Sequence, residues 1–103
     1  MIKYKARTVA NDLQKKAKVI LKGWTQCSEE EEDDVIAFCW RLRQARIGVY
    51  LYWGDTHEGI RVTLQTPRGS NDREWREVSG AIIDPVVDCI GTFATLAINE
   101  KRK

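Results

Sequence analysis

The residues that could do chemistry in this 103-residue chain are few and widely spread. His57 is the one histidine and lies in the segment DTHEG, where flanking carboxylates could make it a general base or a metal ligand. The same composition is typical of a hairpin turn, in which an exposed histidine needs no chemical role. A zinc site needs three or four ligands, and Cys27, Cys39 and Cys89 have no CxxC spacing. The sequence therefore predicts no catalytic residue, no enzyme activity, no metal site and no cofactor.

The cysteine pattern also bears on the compartment. Three widely spaced cysteines are unlike the disulfide framework of a small secreted domain, so we interpret them as small buried hydrophobic residues. No signal-peptide segment is expected at the start of the chain. The longest apolar stretch, 86–98, contains Asp88 and is too short to span a bilayer. These features predict a cytoplasmic protein without a membrane partner.

The best candidate binding surface is one face of a predicted β-hairpin over residues 47–66. Its arms alternate apolar and polar residues with a period of two, so one face covers the core and the other is polar. Tyr, Trp and Arg are enriched at binding hot spots. The predicted binding residues are Tyr50, Tyr52, Arg61, Thr63, Gln65 and Trp75. Three alternatives stay open. The set could stack unpaired bases, the tyrosines could cover this face of the sheet under the N-terminal helix, or they could be cross-strand pairs that support the sheet.

Two helices are predicted before the hairpin. In the first, apolar residues spaced by three and four from Ile2 to Trp24 define one face, and Gly23 marks the end. The second is predicted to begin at Ser28, because Glu31 completes a capping box and the helix dipole favours the six acids at 29–34. Its expected buried residues are Val35, Phe38, Cys39 and Leu42.

Charge is segregated in this half of the chain. Residues 1–24 carry seven positive charges and one negative charge, and the six acids follow at 29–34. We expect the two segments to face each other or the solvent. The alternative is a basic segment that docks nucleic acid or an acidic partner.

After the hairpin, residues 67–72 are predicted to form a polar loop. An edge strand is predicted near 74–78, because so small a hairpin usually needs a third strand, although a helix over 73–83 remains an alternative. Asp84 as N-cap and Pro85 as first residue then predict a helix over 84–99. This helix is apolar nearly all round, which is typical of a central core element or of an oligomer interface. The expected oligomer contacts are Val87, Ile90, Gly91, Ala94 and Ile98.

Together these elements predict one α+β domain over residues 1–103, with two N-terminal helices, a three-stranded antiparallel meander and an apolar C-terminal helix. The functional hypothesis is a non-enzymatic binding or interaction module, with a protein partner or self-association as a homodimer. One alternative is a nucleic-acid-binding accessory protein that uses the basic N-terminal segment. Another is a small-molecule pocket between the sheet and the helices, centred on His57.

Overall fold

The computed structural model describes residues 3–54 and 57–101. Within them, six antiparallel strands form one sheet, with one helix before it and one after it. The elements are α1 (Lys3–Ile20), β1 (Thr25–Gln26), β2 (Glu30–Glu31), β3 (Val35–Leu42), β4 (Ala45–Trp53), β5 (Glu58–Thr66), β6 (Gly69–Trp75) and α2 (Ile83–Lys101). A short 3₁₀ turn, Gly80–Ile82, leads into α2. The sheet order is β1-β3-β4-β5-β6, and β2 continues the pairing of β1 along the outer edge of β3.

The hairpin predicted over 47–66 is confirmed as strands β4 and β5. Val49 stands opposite Val62, and Leu51 stands opposite Ile60, so both arms present their apolar residues on one face. The alternation therefore identified both the strands and their buried side. The buried residues of this face are Ile47, Val49, Leu51, Trp53, Ile60, Val62 and Leu64.

The prediction of two N-terminal helices and a three-stranded meander is wrong. The segment predicted as the second helix contains strand β3, in which Ile36, Phe38 and Trp40 are all buried. Around a helix Phe38 would point away from Ile36 and Trp40, whereas in a strand all three share one face. A helix cap contributes about 1 kcal/mol, and burying each large apolar side chain contributes about 1.5–3 kcal/mol. Burial in the sheet therefore outweighs the local capping pattern at 28–31.

The turn between β3 and β4 explains why this strand pair was missed. Leu42 pairs with Ala45, which leaves a turn of two residues. The first of them, Arg43, has a φ of 55°, in the left-handed region that is uncommon for residues other than glycine. Two-residue hairpin turns usually carry Asn, Asp or Gly at such positions. The sequence therefore shows no turn signal here.

The predicted polar loop at 67–72 and the edge strand near 74–78 are corrected in the same way. Thr66 pairs with Gly69, so β6 begins directly after a two-residue turn and ends at Trp75. Beyond Trp75 the chain is not a strand, and it enters the 3₁₀ turn that precedes α2. The sheet edge at β6 carries a charged run, as exposed edges commonly do. That run consists of Asp72, Arg73 and Glu74.

Both helices lie on one face of the sheet, with α1 against β3 and β4 and α2 against β4 and β5. They also pack against each other. Lys16 Nζ lies 3.1 Å from Asp84 Oδ1, and Ile20 lies beside Gly91, so the two helices run side by side in the same chain direction. The predicted apolar face of α1 is confirmed for Ala6, Val9, Leu13 and Ala17, which are buried, but not for Ile20, which is 43% exposed. Ile2 lies outside the described residues.

The C-terminal helix is confirmed and begins at Ile83, one residue before the predicted N-cap. By length and composition, residues Gly80–Asn99 would suffice to cross a membrane. The core helix of a water-soluble domain meets the same criteria. In this structure Val86 and Ile90 are fully buried, and α2 packs against β4, β5 and α1.

Candidate functional site

The face of the sheet opposite the helices, which we call the open face, has no helix packed on it in the described part of the chain. The strand register arranges its side chains in rows across the strands. From one end of the sheet to the other, the rows are Thr25, Arg41, Arg46, Gln65 and Ser70; then Cys27, Cys39, Gly48, Thr63 and Asp72; then Glu30, Ala37, Tyr50, Arg61 and Glu74; then Val35, Tyr52 and Gly59.

Five of the six predicted binding residues meet on the open face: Tyr50, Tyr52, Arg61, Thr63 and Gln65. The sixth does not. Trp75 stands opposite the buried Ile60, so its side chain lies on the helix side of the sheet, at its margin. There the Arg73 guanidinium lies 5.1 Å from the centroid of the Trp75 ring. The sequence also missed Arg41, Arg46 and Ala37, because β3 and the first two residues of β4 were assigned to a helix.

The side chains of two tyrosines pack along the open face over glycine positions, where no Cβ atom is in the way. A Cβ atom on Gly48 would come within 2.9 Å of the Tyr50 hydroxyl, and one on Gly59 would come within 3.1 Å of the Tyr52 hydroxyl. Tyr52 is also the direct cross-strand neighbour of Gly59. An aromatic side chain that covers a cross-strand glycine restores the contact area that glycine lacks. The centre of the open face is therefore aromatic, with rings that rise little above the backbone of the sheet.

A polar network fixes the side chains around this centre. The Tyr52 hydroxyl donates a hydrogen bond to Glu74 Oε2 at 2.5 Å. The His57 ring stacks on Tyr52 with centroids 4.4 Å apart and planes at 7°. Arg61 Nε donates to Asp72 Oδ2 at 3.0 Å, and its Nη2 donates to the same oxygen at 2.5 Å. Such exposed ion pairs contribute little stability, but they set the orientation of the side chains.

The phenol of Tyr52 yields a test of this network. Partial burial, then the hydrogen bond to Glu74 and its negative charge, raise the pKa of Tyr52 to about 12. Because its unfolded pKa is about 10, the resulting stabilisation is complete below pH ~10 and is lost as pH rises from ~10 to ~12. We expect ultraviolet titration to show one tyrosinate forming with a midpoint near pH 12. Tyr52→Phe should remove that late step, and a late step that survives the substitution would contradict the network.

A shallow cavity of about 170 Å³ lies on the open face beside the β2 edge. Glu30 and Arg46 bring opposite charges to its wall, and within residues 3–54 and 57–101 neither forms an ion pair. The lining residues are Ser28, Glu30, Ala37, Phe38, Cys39, Arg46 and Tyr50. Tyr50 and Cys39 thus connect this cavity with the centre of the open face.

The outer edge of β3 is interrupted by a β-bulge. Gln26 pairs with Trp40, but Glu30 pairs with Ala37, so one extra residue lies on the edge segment between them. Residues 28 and 29 together face position 38. Bulges of this kind bend an edge strand and are common beside functional sites.

Directly before the bulge, a disulfide joins Cys27 of the edge segment to Cys39 of β3. Their Cα atoms are 5.2 Å apart, and the Cys27 amide donates a hydrogen bond to the Cys39 carbonyl at 2.7 Å. The interpretation of these two cysteines as unpaired hydrophobic residues is wrong. Cys89 is free and buried as predicted, and burial raises the pKa of its thiol.

The acidic run does not begin a helix; two of its members contact α1. Arg7 Nη1 lies 2.9 Å from Glu29 Oε1, Arg7 also pairs with Glu31, and Gln14 donates to Glu29 at 2.8 Å. The basic and acidic segments therefore meet through Arg7. Lys16 pairs with Asp84, and the remaining lysines of α1 whose side chains are described are exposed. These are Lys5, Lys15 and Lys18.

The residues predicted as oligomer contacts on α2 do not form one exposed surface. Ile90 and Ala94 are buried in the core of the chain itself, whereas the side chain of Ile98 is 42% exposed. Val87 and Gly91 are half-buried, and Gly91 lies next to Ile20 of α1. Of these five residues, Ile98 is the exposed one, and Leu96 of the same helix is 44% exposed.

In residues 3–54 and 57–101, no three His, Cys, Asp or Glu side chains are grouped so that they could hold a metal ion. No protein-family model, no curated protein and no solved structure matches this chain. The open face is accordingly the feature from which function must be argued.

Proposed function

We propose that this chain is a non-enzymatic binding module that associates with a second copy of itself through the open face. The observation that carries the proposal is the one-sided sheet, in which α1 and α2 cover a single face. The other face has a low aromatic centre and organised polar margins, rather than the scattered polar residues of a merely solvated sheet.

The open face has the composition of a protein interface. Its centre consists of small and aromatic residues, including Val35, Ala37, Tyr50 and Tyr52, all of which are half-buried. Its margins are charged and include Arg41, Arg46 and Glu74. Protein interfaces typically combine an apolar core enriched in tyrosine with a polar rim in which arginine is common.

The size of the open face is also sufficient. Five strands spaced by ~4.8 Å, with about eight residues each at ~3.3 Å per residue, give a projected area of roughly 600 Å². The accessible area of a side-chain surface exceeds its projection. A standard interface buries about 800 Å² on each partner, so the open face can supply a stable dimer contact.

Charge complementarity favours a second copy as the occupant. Arg41 and Arg46 stand directly opposite each other at one end of the open face, and in the described residues neither has an acidic partner. Like charges in this position are unfavourable within one sheet. The opposite end carries the acidic turn 32–34. A two-fold axis in the interface, running across the strands, would set the arginines of each copy against that turn of the other.

The same charges disfavour a nucleic acid on this face. Glu30, Asp72 and Glu74 share it with the arginines, and Arg61 is already paired with Asp72. A polyanion binds best where basic residues are not interspersed with acids. The nucleic-acid alternative would have to rely on the exposed lysines of α1, on the other side of the molecule.

The test is the molar mass in solution, measured by sedimentation equilibrium over a range of protein concentrations. We expect a monomer–dimer equilibrium for the wild type. Ala37→Arg places a long charged side chain on the open face, where a monomer can direct it into solvent. We expect it to weaken the affinity of the dimer by about a hundredfold or more.

Thr92→Arg on the exposed side of α2 is the matched control and should leave the equilibrium unchanged. Ile98→Arg tests the contact predicted on α2. Dimerisation that survives Ala37→Arg and is lost in Ile98→Arg would place the contact on the helix and refute the proposal. A wild type that stays monomeric at every concentration would refute self-association altogether.

A further inference from the structure

We infer that the Cys27–Cys39 pair is a site of reversible thiol–disulfide exchange, at which a dithiol attacks Cys27 and releases the edge strands β1 and β2 from β3. This inference goes beyond self-association through the open face and does not depend on it. It rests on the unequal accessibility of the two sulfurs and on the weak attachment of the edge that they join.

The two cysteines differ in accessibility. Cys27 lies on the outer edge of the sheet and is half-buried, whereas Cys39 lies within β3 and is only 5% exposed. A reductant must approach a disulfide sulfur directly to displace the other sulfur. The edge location therefore makes Cys27 the sulfur that is attacked and Cys39 the leaving group.

The exchange consists of two successive substitutions at sulfur. A thiolate of the dithiol attacks Cys27 Sγ, the Cys27–Cys39 bond breaks, and Cys39 leaves as a thiolate and takes up a proton. The second thiolate of the dithiol then attacks the dithiol sulfur that is bonded to Cys27. Cys27 leaves as a thiolate and is protonated. The protein gains two electrons and two protons, and the dithiol is oxidised to its cyclic disulfide.

The disulfide is a principal attachment of a weak edge. Strands β1 and β2 have two residues each, all four exposed, and the bulge at 28–29 interrupts their pairing with β3. The ion pairs of Arg7 with Glu29 and Glu31 are at the surface and are screened by solvent. Elements with few buried contacts open locally at low free energy. Reduction should therefore loosen this edge while the central strands remain paired.

The cytoplasmic location predicted from the sequence rested in part on unpaired cysteines, and the disulfide removes that ground. In a reducing compartment disulfides are usually transient and redox-responsive, whereas in an oxidising one they persist. A pair that closes under oxidation and opens under reduction fits the transient, redox-responsive kind. Cys89 is buried in α2 and takes no part in it.

The first experiment tests the direction of attack. In a Cys89→Ala background, single variants Cys39→Ser and Cys27→Ser are incubated with oxidised glutathione in dilute protein, which removes any shielding by a second copy. Intact-mass spectrometry should show one glutathionyl group added to Cys27 in the first variant at least about tenfold faster than to Cys39 in the second. Equal rates, or faster addition to Cys39, would overturn the assignment.

The second experiment uses the wild type and needs no cysteine variant to fold. Dithiothreitol without denaturant should reduce the bond, as alkylation of Cys27 and Cys39 followed by peptide mapping would show. Hydrogen exchange of amides 25–31 should then become about tenfold faster or more, with β4 and β5 unchanged. Reduction that occurs only in denaturant, or an edge whose exchange is unaltered by reduction, would refute the proposed release.

Discussion

Trp40→Ala is expected to destabilise the protein by about 4 kcal/mol, a large part of the 5–15 kcal/mol typical of a domain. Trp40 is only 1% exposed, and its ring meets that of Phe38 edge-on with centroids 5.3 Å apart. Removing it leaves a cavity beneath the helices that the rigid strands β3 and β4 cannot close. Urea denaturation followed by far-ultraviolet circular dichroism measures the loss, since that signal comes mainly from the backbone.

Leu42→Ala is the matched control for this prediction. Leu42 is on the same strand but half-buried, and we expect a loss of about 1 kcal/mol. The two substitutions distinguish a helix from a strand over residues 35–42, because a helix would bury Leu42 whereas the strand buries Trp40. A larger loss for Leu42→Ala than for Trp40→Ala would contradict strand β3.

Gly59→Ala is the second substitution with a large expected effect, a loss of about 3 kcal/mol. A Cβ atom at this position would lie 2.3 Å from the backbone carbonyl oxygen of Trp75 and 3.2 Å from the Tyr52 ring. The ring could move, but the carbonyl belongs to β6, so the end of that strand must shift. The free energy of unfolding in urea measures the effect.

Gly80→Ala provides the comparison, because a Cβ atom there would have no neighbour within 4 Å. Its expected effect is within about 0.5 kcal/mol of zero, since alanine also narrows the unfolded ensemble. Equal stability of Gly59→Ala and Gly80→Ala would show that β6 does not approach β5 as closely as described.

The sequence predicted an element correctly where its hydrophobic pattern and the residues of the adjoining turn indicated the same structure. The alternation from Ile47 to Leu64 and the polar turn between its arms pointed to the same hairpin, and that hairpin is present. The apolar spacing of α1 likewise matched its buried face. At 28–46 the local signals misled, because a capping pattern preceded the strand and Arg43 occupies a turn position that usually carries Gly or Asn.

How much of the candidate site could be predicted also depended on the assignment of β3. Tyr50, Tyr52 and Arg61 followed from the hairpin alone and do lie together. Ala37 and Cys39 could join them only once β3 was known to pair with β4. The pairing of Cys27 with Cys39 further depends on the register of β1 against β3, which no spacing rule in the sequence reveals.

The side-by-side packing of α1 and α2 has a consequence for the nascent chain. Lys16 and Asp84, which meet between the helices, are 68 residues apart. At a translation rate of about 5–20 residues per second, α2 is synthesised roughly 3–14 seconds after α1. A hairpin such as β4–β5 forms within about 10 μs. The sheet can therefore assemble during synthesis, while the apolar face of α1 stays only partly covered until α2 emerges. During that interval the apolar face of α1 is a surface that a chaperone would bind.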